Sequence, residues 1–231
     1  MRANAKIIAI EGIDGSGKAT QAKLLADRLE ADNLQIAKFS FPNYNSPSGR
    51  VIKEYLTGEL GNPEEFNPYE AAKLFADDRA AMKTEIKEAI RNNDIVIMDR
   101  YVISNLAHQG YKIAHQQQRH DFYNMVLNLE YSDNEGCSNI PKADFNIILH
   151  VPATVAQNLI GKKNQREYLA GQKHDLHEES IHHLSGASEA YTELATWLPQ
   201  AIPINCAPNG KLMTVEEISD KIYQTVKALI N

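Results

Sequence analysis

Apolar and polar positions follow two rhythms along this chain. Short, nearly continuous apolar runs occur at Ile7–Ile10, Gln35–Phe41, Asp94–Tyr101, Phe145–Val151 and Ala201–Asn205. Runs of this length, rich in Ile, Val and Phe and bounded by turn residues, predict buried strands. Between them apolar residues recur at three to four, the helical spacing. Ala22, Leu25 and Leu29 put a helix over Lys18–Ala31. Asn43–Arg50 is a loop by composition, and Val51, Ile52, Tyr55 and Leu56 then predict a short helix closed by Gly58 or Gly61. Asn67-Pro68 opens a helix that the pattern carries to about Asn92. Ser104–Gly110 reads as a loop or helix start, Gln116–Glu130 as an amphipathic helix and Tyr131–Lys142 as a polar loop. Thr154–Ile160 begins another helix. Asp175-Leu176-His177-Glu178 resembles a capping box for a helix to about Leu198. Thr214-Val215-Glu216-Glu217 caps the last helix, with Ile218, Ile222, Val226 and Leu229 on its apolar face. Strands alternating with helices predict an α/β protein: a five-stranded parallel sheet with helices on both faces, one domain over 1–231. Ligands of such sheets bind beyond the carboxyl ends of the strands.

The stretch after the first strand changes this from a fold to a chemistry. Glu11-Gly12-Ile13-Asp14-Gly15-Ser16-Gly17-Lys18-Ala19-Thr20 stands between strand and helix in the layout of a phosphate-binding P-loop. Gly12, Gly15 and Gly17 let backbone N–H groups turn towards an anion. The helix start adds donors and the positive dipole end, and Lys18 adds a mobile cation. The eighth position, where a hydroxyl would hold Mg²⁺, is Ala19; Thr20 is the next oxygen but points about a quarter-turn away.

Three further clusters carry candidate chemistry, each with a plainer alternative. Asp99-Arg100 ends the third strand, where an acid holds Mg²⁺ or its waters and an arginine grips phosphate; the alternative is a surface salt bridge. Phe75 and Arg79 are one helical turn apart and could present a ring and a planar donor to a ligand, or could belong to the core with the arginine reaching outwards. Gly161-Lys162-Lys163-Asn164-Gln165-Arg166, with Lys173, is either a solvated loop or a mobile cationic lid over about 161–175. His174, His177, His182 and His183 match no metal spacing and read as solvated faces.

Composition narrows the partners. A net charge of -6 over 231 residues argues against nucleic-acid binding by the whole surface. Cys137 and Cys206 form neither a disulfide framework nor a metal motif, no stretch is long and apolar enough to span a membrane, and Met1–Ala5 is no signal peptide. A soluble cytoplasmic protein is the expectation.

With these residues in place the chain resembles the thymidylate kinase family. The opening Glu-Gly-Ile-Asp-Gly-Ser-Gly-Lys, Phe41-Pro42, Leu74-Phe75-Ala76-Asp77-Asp78-Arg79, Asp99-Arg100-Tyr101-Val102-Ile103-Ser104 and Ala107-His108-Gln109-Gly110 fall in family order, over essentially the whole chain. The resemblance implies transfer of the γ-phosphoryl group of ATP to dTMP with Mg²⁺, by a homodimer. It implies that Lys18 and Arg100 stabilise the transferring group and that Asp14 contacts the sugar hydroxyl. It implies that Phe75 stacks on thymine, that Arg79 donates to the base, and that Ser104 and Gln109 line the base pocket with Phe41 nearby. Asp99 would serve the metal. Gly15 stands where some members carry an arginine, so Arg166, with Lys163 second, takes the cationic role in the lid. The chain departs from the family pattern at Ala19, at Tyr44, where an arginine usually grips the acceptor phosphate (Arg50 being the nearby substitute), and at His108, usually an aromatic. Two other readings compete: a kinase for another nucleotide or a deoxynucleoside, and a nucleotide-binding protein with weak turnover. A guanine-nucleotide switch is disfavoured, since the chain has no Asn-Lys-x-Asp.

Overall fold

The computed structural model describes residues 5–167 and 180–230, and of 162–167 the backbone alone. Strands β1 (Lys6–Glu11), β2 (Ile36–Ser40), β3 (Ile95–Asp99), β4 (Phe145–His150) and β5 (Ala201–Asn205) make a parallel sheet in the order β2-β3-β1-β4-β5. The helices are α1 (Lys18–Ala31), α2 (Pro47–Leu56), α3 (Pro68–Ala81), α4 (Lys83–Asn92), α5 (Val102–Gly110), α6 (Gln116–Tyr131), α7 (Ala153–Glu167), α8 (Ile181–Trp197) and α9 (Val215–Ile230). The period of two along β1 divides the core. Ile8 and Ile10 face one layer with Leu25, Leu29, Phe122 and Leu184. Ile7 and Ala9 face the other with Phe41, Ile86, Met98 and Tyr101. Helices therefore cover both faces, as a continuous apolar strand requires. Pro203, which has no N–H for the ladder, lies on the edge strand β5.

The structure departs from the sequence pattern in four places. The helix expected over Asn67–Asn92 is two helices broken at Met82 (φ -96°, ψ 6°). Both halves keep an apolar face, so the period crosses the break, which lets Ile86 and Ile90 turn under the second core layer. α2 begins at Pro47, inside the expected loop, because Ser46 caps it by accepting the Gly49 N–H. Of the two readings of Ser104–Gly110, loop or helix start, the structure has the helix, and it begins earlier, at Val102: α5 is buried along its whole length between α3, α6 and α8, which removes the amphipathic signal. α7 continues to Glu167, so the backbone of Gly161–Arg166 is helical rather than a loop. The rest of the expected lid and the 175–178 capping box lie outside the described residues; α8 is capped by Ser180, which accepts the His183 N–H. The last capping box forms as expected. Thr214 N–H donates to Glu217 at 2.7 Å, and Glu217 N–H donates to Thr214 Oγ1 at 3.2 Å.

Candidate active site

The turn after β1 is shaped by what its glycines face. Gly15 holds φ 76°, and a Cβ there would come within 2.4 Å of the Ala156 carbonyl on α7. A larger side chain at this position has no room in this backbone. Gly17 holds φ 88° at the start of α1, and its Cβ direction is open among the described residues. Ser16 Oγ is buried and has no hydrogen-bond partner among the described residues. An orphaned hydroxyl, unblocked helix-terminal N–H groups and open space are what a bound phosphate needs. Lys18 is buried, donates to the Ile13 carbonyl at 2.7 Å and lies 3.9 Å from Asp14. Ala19 and Thr20 are exposed.

β3 lies directly beside β1, with Asp99 in register with Ile10, so the acid and the P-loop share one end of the sheet. Asp99 is half-buried and accepts a 3.4 Å hydrogen bond from Ser40 Oγ. Arg100 takes a left-handed backbone conformation, φ 64°, which is costly for a residue with a Cβ. Two hydrogen bonds hold that turn. Arg100 N–H donates to the Ile10 carbonyl at 3.0 Å, and Tyr101 N–H donates to Glu11 Oε1 at 2.8 Å. Glu11 is fully buried and also accepts Ser104 Oγ at 2.5 Å and Tyr191 OH at 3.3 Å. Burial pushes its pKa up, against the opposing effects of the Ser104 hydrogen bond, Arg100, the Tyr101 N–H and Lys18. The guanidinium that this turn aims is shared between Asp14 and His108 Nε2, the latter at 3.1 Å.

α5 supplies the next wall. His108 Nδ1 and His183 Nε2 lie 2.8 Å apart, with the rings stacked. His183 is fully buried, which corrects the expectation of a solvated histidine; His182 is exposed as expected, and His174 and His177 lie outside the described residues. α8 turns His183 inward, one residue past His182, a placement that spacing alone did not reveal. Asp14, His108 and His183 bring ligand atoms within 4.8 Å of one another, but the Arg100 guanidinium already supplies positive charge among them. One turn apart on α5, Asn105 Oδ1 and Gln109 Oε1 are buried and lack partners among the described residues.

The remaining candidates are placed less simply. Arg79 is buried and locked to the equally buried Glu130, Nε to Oε2 at 2.6 Å and Nη2 to Oε1 at 2.7 Å. It is therefore neither an outward-reaching arginine nor wholly available to a ligand. Asn105 Nδ2 joins the pair, donating to Glu130 Oε1 at 3.0 Å and to the Ala72 carbonyl at 2.9 Å. Phe75 is half-buried, edge-on to Tyr55, with its exposed part available to a ligand. Phe41 is buried in the second core layer, its ring tilted against Tyr101. Ser104 donates its hydroxyl to Glu11 Oε2 at 2.5 Å. Tyr44 and Arg50 are both exposed, and the Arg166 and Lys163 side chains lie outside the described residues.

Sequence reasoning missed Glu11, Asn105, Glu130, His183 and Tyr191. A signal existed for Glu130, which continues the stripe Phe122–Val126 at a spacing of four and is an acid where an apolar residue belongs. Tyr191 reaches Glu11 only through tertiary packing.

Comparison with known proteins identifies the family. The thymidylate kinase family model matches residues 10–218. A thymidylate kinase of Mycobacterium tuberculosis is 32% identical over 190 residues, covering 82% of this chain and 85% of that protein. A probable thymidylate kinase of Pyrobaculum aerophilum is 34% identical over 168 residues, covering 71% and 75%. The solved structure of thymidylate kinase from Candida albicans shares the fold, with a TM-score of 0.70 at 20% identity over 99% of this chain and 93% of that one. The match spans the P-loop, Asp99-Arg100 and α5 together, and the chain belongs to the thymidylate kinase family of nucleoside monophosphate kinases.

Proposed function

We propose that this protein transfers the γ-phosphoryl group of ATP to dTMP, giving dTDP and ADP. The observation that carries the reading is the convergence, at one end of β1 and β3, of an orphaned P-loop hydroxyl, a buried lysine and an arginine held in a strained turn. Ser16, the α1 N-terminus and Lys18 receive the donor phosphates. Arg100 spans the transferring group, and Asp14 keeps a carboxylate oxygen for the acceptor sugar. The bond from the γ-phosphorus to its bridging oxygen breaks as an acceptor phosphate oxygen bonds to phosphorus. Negative charge spreads over the equatorial oxygens, so fixed cations supply most of the acceleration. The acceptor oxygen carries no proton at neutral pH, and no general base is needed.

The base reading rests on α5. Asn105 gives both Nδ2 hydrogens away, so its Oδ1 is left to accept from a ligand N–H. A thymine ring offers one N–H between two carbonyl oxygens. Asn105 meets that N–H, Gln109 lines the same wall, Phe75 covers the ring face, and the N–H groups of Arg79 that Glu130 does not use reach a carbonyl. Mg²⁺ fits this donor set: Asp99 would hold it, directly or through water, with a hard carboxylate oxygen, while Ala19 would offer it none. When bound it neutralises phosphate charge. Arg166, or Lys163, completes the cations from the lid side. The resemblance further supports a single domain over 1–231 acting as a homodimer. No described helix is long and apolar enough to cross a membrane.

The test is ADP release with ATP, Mg²⁺ and each of dTMP, dUMP, dGMP, dAMP, CMP and thymidine. Turnover confined to dTMP, with a lesser rate on dUMP, is expected. Faster turnover on another acceptor reassigns the base wall, and ATP binding without turnover on any of them overturns the reading.

A further inference from the structure

Arg100 does not hold its position alone. Its Nη1 donates to His108 Nε2 at 3.1 Å. An arginine carries only donors, so this nitrogen of His108 must accept and bears no proton. The other nitrogen, Nδ1, must then carry the hydrogen, because an imidazole with neither would be an anion. Nδ1 lies 2.8 Å from His183 Nε2, which therefore accepts. By the same logic His183 is protonated at Nδ1, 3.1 Å from Tyr111 OH. Tyr111 in turn donates to Glu64 Oε2 at 2.5 Å. One donor that cannot reverse thus orients four hydrogen bonds from the P-loop side to the loop between α2 and α3, and both buried histidines are neutral Nδ1–H tautomers. Tyr191 stands edge-on to the His108 ring at 5.9 Å and Tyr111 edge-on to His183 at 5.1 Å, so neither ring turns freely.

We propose that His183 is a positioning residue for phosphoryl transfer: by accepting from His108 Nδ1 it holds His108 Nε2 as a bare acceptor that keeps the Arg100 guanidinium at the reaction centre. Without His183, a hydrogen on His108 Nδ1 is buried with its acceptor gone, a cost that competes with the Arg100 bond for the place of the proton. Protonation at Nε2 then turns a donor against a donor and displaces Arg100. Glu64 and Tyr111 fix the far end in the same sense. The inference rests on Arg100 acting on the transferring phosphoryl group, as proposed above.

The experiment compares His183→Phe, His183→Gln and Arg100→Ala with wild type for kcat and for the KM of ATP and dTMP. It adds ¹⁵N NMR of the histidine rings. Phe keeps the ring volume but cannot accept; the Gln carbonyl reaches the place of Nε2 and can. His183→Phe is expected to lower kcat about tenfold, the scale of one lost hydrogen bond to a charged network, with the KM of ATP little changed. His183→Gln recovers most of that loss. The wild-type spectrum shows His108 and His183 as neutral Nδ1–H tautomers, and His183→Phe shifts His108 towards Nε2–H. A folded His183→Phe with wild-type kcat overturns the inference, as does a Gln variant no better than Phe, or a wild-type His108 protonated at Nε2. The last readout stands even where His183→Phe does not fold. Near-normal turnover by Arg100→Ala instead removes the underlying reading of Arg100, so the two failures are distinct.

Discussion

Single side chains carry opposite kinds of weight in this site. Arg100 is held in a costly backbone conformation, and its guanidinium meets Asp14 and His108. Arg100→Ala should leave a folded protein and lower kcat by at least about a hundredfold, the loss seen when one preorganised charge partner is removed; steady-state kinetics beside a circular dichroism spectrum decides it. Arg79 is the converse case. Its guanidinium and Glu130 are both taken out of water and satisfy each other bidentately. Glu130→Ala leaves an unpaired buried cation and loosens Asn105, so it should cost about 3–5 kcal/mol in urea denaturation. A change below about 1 kcal/mol would mean that the pair is hydrated in solution. The stripe holding Phe75 and Arg79 was visible in the sequence, but whether the arginine faced solvent, core or ligand was not. That depended on an acid fifty-one positions away.

At the scale of elements, α5 is the wall shared by core and site, and its last turn is tied down by Lys112. This lysine follows α5 and donates to the Pro63 carbonyl at 2.5 Å and to Tyr55 OH at 3.2 Å, fastening the loop that carries Glu64. Burial pulls its pKa down to about 8, against the opposing charge of Glu64. A neutral amine keeps enough hydrogens for both bonds. The sign follows from proton counting. As pH rises the folded state releases this proton near pH 8, while the unfolded chain holds it to about 10. The unfolded state binds more protons across that window, so the contribution of Lys112 to stability grows from about pH 8 to about 10. Lys112→Met should flatten this part of the stability profile relative to wild type, measured as denaturant midpoints across the window. A parallel profile in the variant would mean that the amine is solvated. α5 itself was poorly legible from sequence because a helix buried on every side has no polar stripe to reveal its period. The Asn67-Pro68 helix start and the Thr214–Glu217 capping box were legible because their chemistry is local.

The whole molecule places its polar machinery along one end of a parallel sheet. Tyr69 on α3 is exposed and packs edge-on to the buried Phe122 of α6. The homodimer proposed from the resemblance should sediment at about twice the 25.9 kDa of one chain at micromolar concentration. A species at the monomer mass with full turnover would show that one chain completes the site.

Local chemistry determined much of this protein in the sequence itself. Ile7–Ile10 had to be a buried strand, the glycines after it had to turn, and Lys18 had to follow them at a helix start, because each property belongs to a residue and its near neighbours. Alternation of strands and helices then gave the parallel sheet, and the sheet put Asp99 beside Ile10. Tertiary structure alone decided which polar groups meet. Glu11 finds Tyr191 across 180 positions, Arg79 finds Glu130, and His183 closes on His108 across 75. No periodicity encodes such pairs. They are selected by the need of each buried donor or acceptor for a partner once packing has removed water, and that need exists only in the folded chain.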